Sequence, residues 1–202
     1  MDESLKKKAK LVITSLNCSL SDDRVIKAKN YNEILHESYS YICDDYESKK
    51  YFGITGTDGK TTTGSYLKEL LGPESLFIGT NEDVLFSEIT NEKHLTSPKL
   101  FNILKLLGRS DFKKYKNIIL EASSHALDQD RFNGIKFNTS GFTNLSQDHL
   151  DYHTNIENYF NSKLKLFSSQ LSNKYVYIDN KWGNKISENT SIPSFKISSD
   201  TQ

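Results

Sequence analysis

A glycine-rich stretch, GITGTDGKTTT at residues 53–63, offers the clearest chemistry in the sequence. It follows an apolar run and precedes a helical pattern, so it predicts a strand, a tight turn and a helix start in that order. Gly56 and Gly59 allow the backbone to turn and to point its N–H groups at phosphate oxygens. Lys60 adds an ammonium group, the helix start adds the positive end of its dipole, and the Thr61 hydroxyl can bind Mg²⁺. The stretch therefore predicts a cradle for a nucleoside triphosphate.

This phosphate loop departs from the common form, which has a glycine five residues before Gly59. Ile54 stands at that position, and what remains is the shorter pattern G-x-x-G-K-T. Such a short pattern also occurs in ordinary turns, so the alternative is a turn that binds no ligand. The strand before it and the helix after it favour nucleotide binding.

A second polar stretch, EASSHALDQDR at residues 121–131, begins where a nearly continuous apolar run ends. That run predicts a buried parallel strand, and ligands of open α/β sheets bind at the carboxyl ends of such strands. Glu121 could therefore complete the magnesium shell that Thr61 begins. Taken alone, a carboxylate at this point is more often a solvated strand end, and it is the phosphate loop that favours metal ligation.

Two more stretches carry groups that could act in catalysis. Residues 143–153, TNLSQDHLDYH, are polar and contain two imidazoles, His149 and His153. Lys163 lies in NYFNSKLKLF, on a predicted amphipathic helix. Judged singly, a histidine is more often a surface or core residue than a ligand, and a lysine on a helix is more often solvated.

The elements that would position these groups alternate between strands and helices after residue 50. This order predicts the α/β class, with a parallel sheet, helices on both of its faces and a nucleotide-binding phosphate loop. Apolar and β-branched runs predict strands at 11–16, 51–55, 75–80, 116–122, 137–145, 175–178 and 194–197, and a hairpin arm or edge strand at 83–90. Apolar residues at helical spacing predict helices at 30–46, 61–71, 98–107 and 156–167.

Composition limits the class of protein. The 202 residues suffice for one domain and part of another, and 36% hydrophobic residues support a core. Basic and acidic residues balance at 26 each, which argues against nucleic acid or an anionic membrane as a partner. The sequence has no apolar run of membrane-spanning length and no signal-peptide pattern. The two cysteines, Cys18 and Cys43, match no disulfide framework or metal spacing, so we expect a cytoplasmic protein.

The four stretches, in this order and at these separations, resemble the central domain of the Mur ligases. The resemblance covers about residues 51–167 and is nearest to the ligases that add an amino acid to UDP-N-acetylmuramoyl dipeptide. It implies a truncated central ATP-binding domain at 51–202, preceded at 1–50 by a remnant of the N-terminal uridine-binding domain, with the C-terminal domain absent. A separate chain that supplies the missing domains is then a candidate partner.

The resemblance also implies a role for each matching residue. The ATP phosphates would be bound by Gly56, Thr57, Asp58, Gly59, Lys60, Thr61 and Thr62. One magnesium ion would be held by Thr61 and Glu121, and a second by His149 and Lys163, with Lys163 converted by carbon dioxide to a carbamate. A carbamate makes chemical sense because it supplies oxygen ligands, whereas an ammonium group cannot bind a cation. The catalytic residues would be Lys60, His149 and Lys163. The substrate, UDP-N-acetylmuramoyl-L-Ala-D-Glu, would be held by Thr96, Ser97, Ser123, Gln129 and Arg131.

The activity that the family implies is ATP-dependent amide-bond formation in peptidoglycan synthesis. The substrate carboxylate would attack the γ-phosphate, and the incoming amine would displace phosphate from the resulting acyl phosphate. One alternative is a non-catalytic ATP- or sugar-nucleotide-binding fragment of a split or decayed ligase. Another is a ligase of the wider superfamily that acts on folate or a polyamino acid, although the predicted substrate-binding residues favour a muramyl substrate. Asp58 stands where the family often has asparagine, and it adds a negative charge beside the phosphates.

Overall fold

The computed structural model describes Tyr39, residues 42–80 and residues 96–198, except for the side chain of Phe101. Strands and helices alternate along these residues, as the sequence predicts for the α/β class. The strands are β1 (Lys50–Thr55), β2 (Ser75–Ile78), β3 (Asn117–Glu121), β4 (Thr139–Phe142), β5 (Tyr175–Ile178) and β6 (Ser194–Ile197). The α-helices are α1 (Lys60–Leu71), α2 (Leu100–Leu107), α3 (Ser124–Asp128), α4 (Leu150–His153), α5 (Ile156–Leu164) and α6 (Lys181–Glu188). Short 3-10 helices occupy Tyr46–Ser48 and Lys165–Phe167.

The described strands form one parallel sheet in the order β2-β3-β1-β4-β5-β6. β1 therefore lies between β3 and β4, although both come much later in the sequence. The chain first builds the sheet on one side of β1 and then crosses to the other side, so β1 lies where the strand order switches. Ligands of open α/β sheets bind outside the carboxyl ends of the strands at such a switch. The loop that leaves this end of β1 is the predicted phosphate loop.

One face of the sheet is covered by α1. Because side chains alternate along a strand, Ile54, Phe77 and Ile119 share this face, and Leu67 of α1 packs against them. Gly64 allows the helix to approach closely, since a Cβ at this position would lie 2.3 Å from the ring of Phe77. The close packing fixes the start of α1 relative to the ends of the strands.

The opposite face carries the larger core, to which α2, α3, α5 and α6 contribute. The alternate set of strand residues, such as Ile118 and Leu120, belongs to this core. Each fully buried Leu, Ile or Phe side chain stabilises the fold by about 1.5–3 kcal/mol. The helices contribute Leu104, Leu127, Phe160 and Ile186. Helices therefore cover both faces of the sheet, as the sequence predicts.

Local signals determine where the helices near the site begin and end. α1 begins after Gly59 and ends at Gly72, whose N–H donates to the carbonyl of Lys68. Both glycines have left-handed φ angles, 77° and 83°, which glycine adopts without steric cost. α5 begins after Asn155, whose side chain accepts a hydrogen bond from the N–H of Asn158.

The structure confirms the predicted strands and helices after residue 50 that fall within its described residues, with ends shifted by a few positions. The predicted helix at 30–46 ends early, because a turn at residues 44–45 separates it from the 3-10 helix Tyr46–Ser48. The predictions at 11–16 and 83–90 lie outside the described residues.

The sequence pattern predicts none of the helices α3, α4 and α6, and the apolar residues of α6 are few. Trp182 is half-buried and Ile186 is fully buried. These two side chains form too short an apolar stripe to indicate an eight-residue helix from the sequence. Its start has a clear local signal, since the side chain of Asn180 accepts hydrogen bonds from the N–H groups of Trp182 and Gly183.

Candidate nucleotide-binding site

The phosphate loop, residues 56–59, connects β1 to α1 and is held by the segment that follows β4. The N–H of Thr57 donates to the carbonyl of Asn144 at 3.0 Å, and the N–H of Asp58 donates to the Asn144 side-chain oxygen at 2.9 Å. The hydroxyl of Thr143 donates to the carbonyl of Asp58 at 2.6 Å. The loop therefore takes its shape from the pairing of β1 with β4 as well as from its own glycines.

The two loop glycines are required for different reasons. A Cβ at Gly56 would lie 1.8 Å from Oγ1 of Thr143, so this position has no room for a side chain. A Cβ at Gly59 would meet open space, but the φ of 77° is left-handed. Gly56 thus permits a close approach, and Gly59 permits a backbone conformation that other residues adopt at a cost.

Two lysine amines meet at this loop. Nζ of Lys60 donates to the carbonyls of Gly56 and Thr57 at 3.0 and 2.7 Å. Nζ of Lys163, which comes from α5, donates to the same Gly56 carbonyl at 2.8 Å. Burial lowers the pKa of both lysines, and the nearby charge of Lys60 helps to lower the pKa of Lys163 to about 7. A buried amine that is partly neutral near pH 7 therefore lies at the phosphate loop.

Glu121 ends β3 with its side chain on the face covered by α1, the face that Ile119 also occupies. It is 1% exposed, and the hydroxyl of Thr80 donates to its Oε2 at 2.9 Å. Its Oε1 is buried without a hydrogen-bond partner among the described residues, and Gly79 leaves the space around it. A cation would satisfy this oxygen, whose burial is otherwise costly. This buried carboxylate oxygen without a partner fits the magnesium ion predicted at Glu121.

His149 and Lys163 each lie beside the ring of Tyr159. Nζ of Lys163 lies 4.4 Å from the centroid of that ring, and the His149 ring centroid lies 6.0 Å from it. The imidazole of His149 is exposed, and its Nε2 lies 3.4 Å from a carboxylate oxygen of Asp148. The structure therefore brings the two predicted ligands of the second magnesium ion into one region beside the loop.

The other imidazole of this stretch, His153, packs inside the protein. It is 5% exposed, with Nε2 2.9 Å from the hydroxyl of Ser124 and Nδ1 3.3 Å from the hydroxyl of Ser162. Burial lowers the pKa of His153, and the charge of His125 lowers it further. His153 thereby joins α4 to α3 and α5 and fixes the short helix that follows His149.

Four of the five residues predicted to hold the substrate form one connected group at the end of β3. Oγ of Ser97 donates to the carbonyl of Glu121 at 2.6 Å and lies 3.0 Å from Oγ of Ser123. The guanidinium of Arg131 donates to the carbonyl of Ser97 at 2.8 Å and to Oε1 of Gln129 at 2.7 Å. The predicted set in this region comprises Thr96, Ser97, Ser123, Gln129 and Arg131.

Other residues that contact the site are absent from the sequence prediction. Asn144 lies within a polar stretch that the sequence singles out, so a signal for it exists. Tyr159 is predicted only as part of an apolar helical stripe, yet its hydroxyl lies 3.3 Å from Oγ1 of Thr57. Thr80 ends a predicted strand, and no pattern in the sequence marks its contact with Glu121.

Within the described parts of the chain, no group of three His, Cys, Asp or Glu side chains could hold a metal ion. Each predicted magnesium ion would thus receive few ligands from the protein. Magnesium keeps several waters and is commonly bound by one or two carboxylates together with substrate phosphates.

Among parallel α/β folds, a glycine loop that leads from a central strand into a helix marks the phosphate-loop class of nucleotide-binding domains. Within this class, the chain belongs to the Mur ligase family. Residues 54–200 match the family described as the Mur ligase middle domain. The match confirms the resemblance found in the sequence.

Curated relatives carry the name UDP-N-acetylmuramoyl-L-alanyl-D-glutamate--2,6-diaminopimelate ligase. The protein of this name from Clostridium tetani is 33% identical over 206 residues, which cover 98% of this chain and 42% of the relative. The one from Rickettsia montanensis is 37% identical over 175 residues, which cover 84% of this chain and 36% of the relative. The chain thus spans less than half the length of these relatives.

Solved structures confirm the fold. A UDP-N-acetylmuramoyl-L-alanyl-D-glutamate--2,6-diaminopimelate ligase superposes with a TM-score of 0.66 at 23% identity, covering 85% of this chain and 37% of that one. MurF ligase from Thermotoga maritima, in complex with ADP, gives a TM-score of 0.57 at 14% identity, covering 98% of this chain and 43% of that one. FolC from E. coli, also with ADP, gives a TM-score of 0.56 at 15% identity, covering 80% of this chain and 45% of that one.

Across the described residues, none of the helices has the length and apolar character needed to cross a membrane.

Proposed function

We propose that this chain forms the ATP-binding part of a ligase that joins an amino acid to UDP-N-acetylmuramoyl-L-Ala-D-Glu through an acyl phosphate. The observation that carries the proposal is the meeting of Lys60 and Lys163 at a phosphate loop whose neighbouring strand ends in the buried carboxylate of Glu121. The names of the relatives support the same reaction, with 2,6-diaminopimelate as the amino acid.

The loop would bind the ATP phosphates through its backbone N–H groups and the start of α1. Lys60 would exchange its bonds to the two loop carbonyls for bonds to phosphate oxygens, because a phosphate is the stronger acceptor for an ammonium group. Thr61 and Glu121 would hold a magnesium ion. When bound, this ion would neutralise charge on the phosphates. These residues orient the γ-phosphate for attack by a carboxylate, so positioning and charge neutralisation carry the step.

Lys163 would act as a carbamate, with His149 beside it. Its amine is buried and has a lowered pKa, which provides the neutral form that reacts with carbon dioxide. A new N–C bond forms in that reaction and one N–H proton passes to water, which leaves a carbamate anion with two oxygen atoms. Those oxygen atoms suit a second magnesium ion, as an ammonium group does not.

The connected group around Ser97 and Arg131 would hold the muramyl substrate. A guanidinium forks onto pairs of oxygen atoms and so suits a carboxylate or phosphate of the sugar nucleotide. Residues 51–202 would form the central domain, and residues 1–50 would form the end of a uridine-binding domain. The whole enzyme would be cytoplasmic. The parts of the relatives that this chain does not span would complete the enzyme, on a continuing or a separate polypeptide.

The test is equilibrium binding of Mg²⁺–ATP to the purified chain. We expect binding by the wild type, and weakening by tenfold or more in Lys60→Met, since a charge-assisted hydrogen bond contributes about 1.5–3 kcal/mol. Lys105→Met, which removes an exposed lysine on α2, is the matched control and should bind as the wild type does. Equal affinities for the wild type and Lys60→Met would contradict the proposal.

The substrate class has a separate test. Arg131→Gln should weaken binding of UDP-N-acetylmuramoyl-L-Ala-D-Glu by roughly tenfold, the loss expected for a charge-assisted contact, and leave binding of Mg²⁺–ATP unchanged. Binding of dihydrofolate in place of the muramyl nucleotide would instead support a folate ligase.

A further inference from the structure

Tyr159 touches both lysine-bearing parts of the site and lies outside the predicted site residues. It is 1% exposed on α5, one helical turn before Lys163. Its hydroxyl lies 3.3 Å from Oγ1 of Thr57 in the phosphate loop. The centroid of its ring lies 4.4 Å from Nζ of Lys163. One side chain thus links the loop to the helix that carries the second amine.

The hydrogen bonds of Thr57 determine the direction of the hydroxyl contact. Oγ1 of Thr57 donates to the carbonyl of Ser146 at 3.3 Å and accepts from the N–H of Ser146 at 3.0 Å. When Thr57 donates its single proton to that carbonyl, its oxygen accepts a hydrogen bond from the hydroxyl of Tyr159. Burial raises the pKa of Tyr159, which keeps the phenol protonated and able to donate.

The ring makes the second contact. Nζ of Lys163 lies over the face of this ring and also donates to the carbonyl of Gly56 at 2.8 Å. Tyr159 and Lys163 are four residues apart on one helix, so their side chains are neighbours by helical geometry. A ring face attracts a cation and excludes water from one side of it.

We propose that Tyr159 is a positioning residue that sets Lys163 against the phosphate loop, its hydroxyl holding Thr57 and its ring holding the amine. The inference rests on the proposed function, because it assigns Lys163 and the loop to one catalytic centre. It adds a specific division of roles within one side chain: the hydroxyl acts on the loop, and the ring acts on the lysine.

The hydroxyl role is tested by a double-mutant cycle in urea unfolding. Tyr159→Phe should lower the equilibrium constant for folding by roughly fivefold in the wild type and have no effect in Thr57→Val, where the acceptor is already gone. In Thr57→Ser, which keeps the acceptor, Tyr159→Phe should again cost roughly fivefold. Equal effects of Tyr159→Phe in the Thr57→Val and wild-type backgrounds would overturn this role.

The ring role is tested by competitive acetylation of lysine amines, read by mass spectrometry with Lys105 as the internal reference. Tyr159→Leu should raise the labelling rate of Lys163 by roughly tenfold, because it removes the ring that stabilises and covers the amine. Tyr159→Phe keeps the ring and should leave the rate unchanged. Tyr159→Met serves as a second ring deletion if circular dichroism shows that Tyr159→Leu has lost its fold. Wild-type labelling rates in a folded ring deletion would overturn this role.

Both readouts are taken without nucleotide, so they separate this inference from the proposed function. Failure of the wild type to bind Mg²⁺–ATP would count against the ligase proposal and leave the two Tyr159 measurements decisive. In the converse outcome, the wild type binds Mg²⁺–ATP while the effects of Tyr159→Phe and Thr57→Val simply add and Tyr159→Leu leaves the labelling of Lys163 unchanged. That combination would retain the ligase proposal and overturn the role of Tyr159.

Discussion

Lys60 and Lys163 donate to one backbone oxygen, the carbonyl of Gly56, at 3.0 and 2.8 Å. Two ammonium groups so close to each other repel, and the repulsion adds to burial in lowering the pKa of Lys163. The two amines place positive charge where a triphosphate would bind. It also makes the protonation of one lysine depend on the position of the other.

The first prediction concerns the stability of the protein as pH changes. The pKa of Lys163 falls from its ordinary value of 10.5 to about 7 in the folded chain, so the unfolded chain binds more protons between these values. The contribution of Lys163 to stability is therefore fully present above 10.5 and is lost as the pH falls to about 7. Relative to Lys163→Met, the wild-type free energy of unfolding should rise with pH across this window, by roughly 1 kcal/mol per pH unit.

Urea unfolding in bicarbonate-free buffer measures this difference. Lys105→Met, which removes an exposed amine, is the control for effects of net charge. A difference between the wild type and Lys163→Met that stays constant from pH 7 to 10 would show that the folded state holds Lys163 as an ordinary ammonium group.

The second prediction concerns Glu121. Glu121→Gln keeps the shape and the contact with Thr80 but removes the charge from an oxygen that has no hydrogen-bond partner. Magnesium should then no longer strengthen ATP binding, whereas the magnesium-free affinity should change little. The measurement is an ATP titration with Mg²⁺ and with EDTA, and retention of the full magnesium effect would refute the assignment of Glu121 as a ligand.

The third prediction concerns Thr80, which fixes the Glu121 carboxylate through Oε2. Thr80→Val removes the hydroxyl at nearly constant size and should weaken the magnesium-dependent part of ATP binding by about 1 kcal/mol, or fivefold. Thr80→Ser keeps the hydroxyl and should behave as the wild type in the same titration. If both variants match the wild type, the hydrogen bond to Glu121 does not contribute to metal binding.

The fourth prediction contrasts the two loop glycines. Gly56→Ala places a Cβ where Oγ1 of Thr143 lies, so the loop or the segment after β4 must move and the protein should lose several kcal/mol of stability. The Cβ of Gly59→Ala meets open space, so this variant should lose only about 1–2 kcal/mol of stability, the cost of a left-handed conformation for alanine. Thermal unfolding of both variants gives the order, and a larger loss in Gly59→Ala would contradict the packing at Gly56.

The fifth prediction concerns Asp58, whose charge lies in the loop. Asp58→Asn removes a negative charge beside the phosphate site and keeps the backbone bond to Asn144. ATP affinity should rise by about threefold, the effect of a screened charge pair worth under 1 kcal/mol. The gain should shrink at high salt, and equal affinities at low salt would show that Asp58 lies too far from the phosphates to matter.

The sequence predicts those parts of the site that depend on local pattern. The loop from Gly56 to Lys60 follows from its glycines, and the position of Glu121 follows from an apolar run that must end at the ligand-binding edge of a parallel sheet. The family resemblance adds roles for His149 and Lys163, and the structure brings both beside the ring of Tyr159.

The remaining contacts depend on which strands become neighbours, which the sequence pattern does not specify. Oγ1 of Thr143 excludes a side chain at Gly56 only because β4 pairs with β1. Thr80 reaches Glu121 only because β2 pairs with β3. A helical stripe predicts that Tyr159 is buried, but it cannot show that a buried tyrosine also bonds a distant loop.

The strand order also determines how a ligand and the fold depend on each other. Gly56 and Lys163 are 107 residues apart, and Asp58 and Asn144 are 86 apart, so a short fragment cannot hold the site. Pairings between such distant segments form slowly and together. A nucleotide at this edge binds only after they have formed, so its binding energy adds to the stability of the whole sheet. Resistance to proteolysis should therefore rise with nucleotide concentration throughout this cooperative unit.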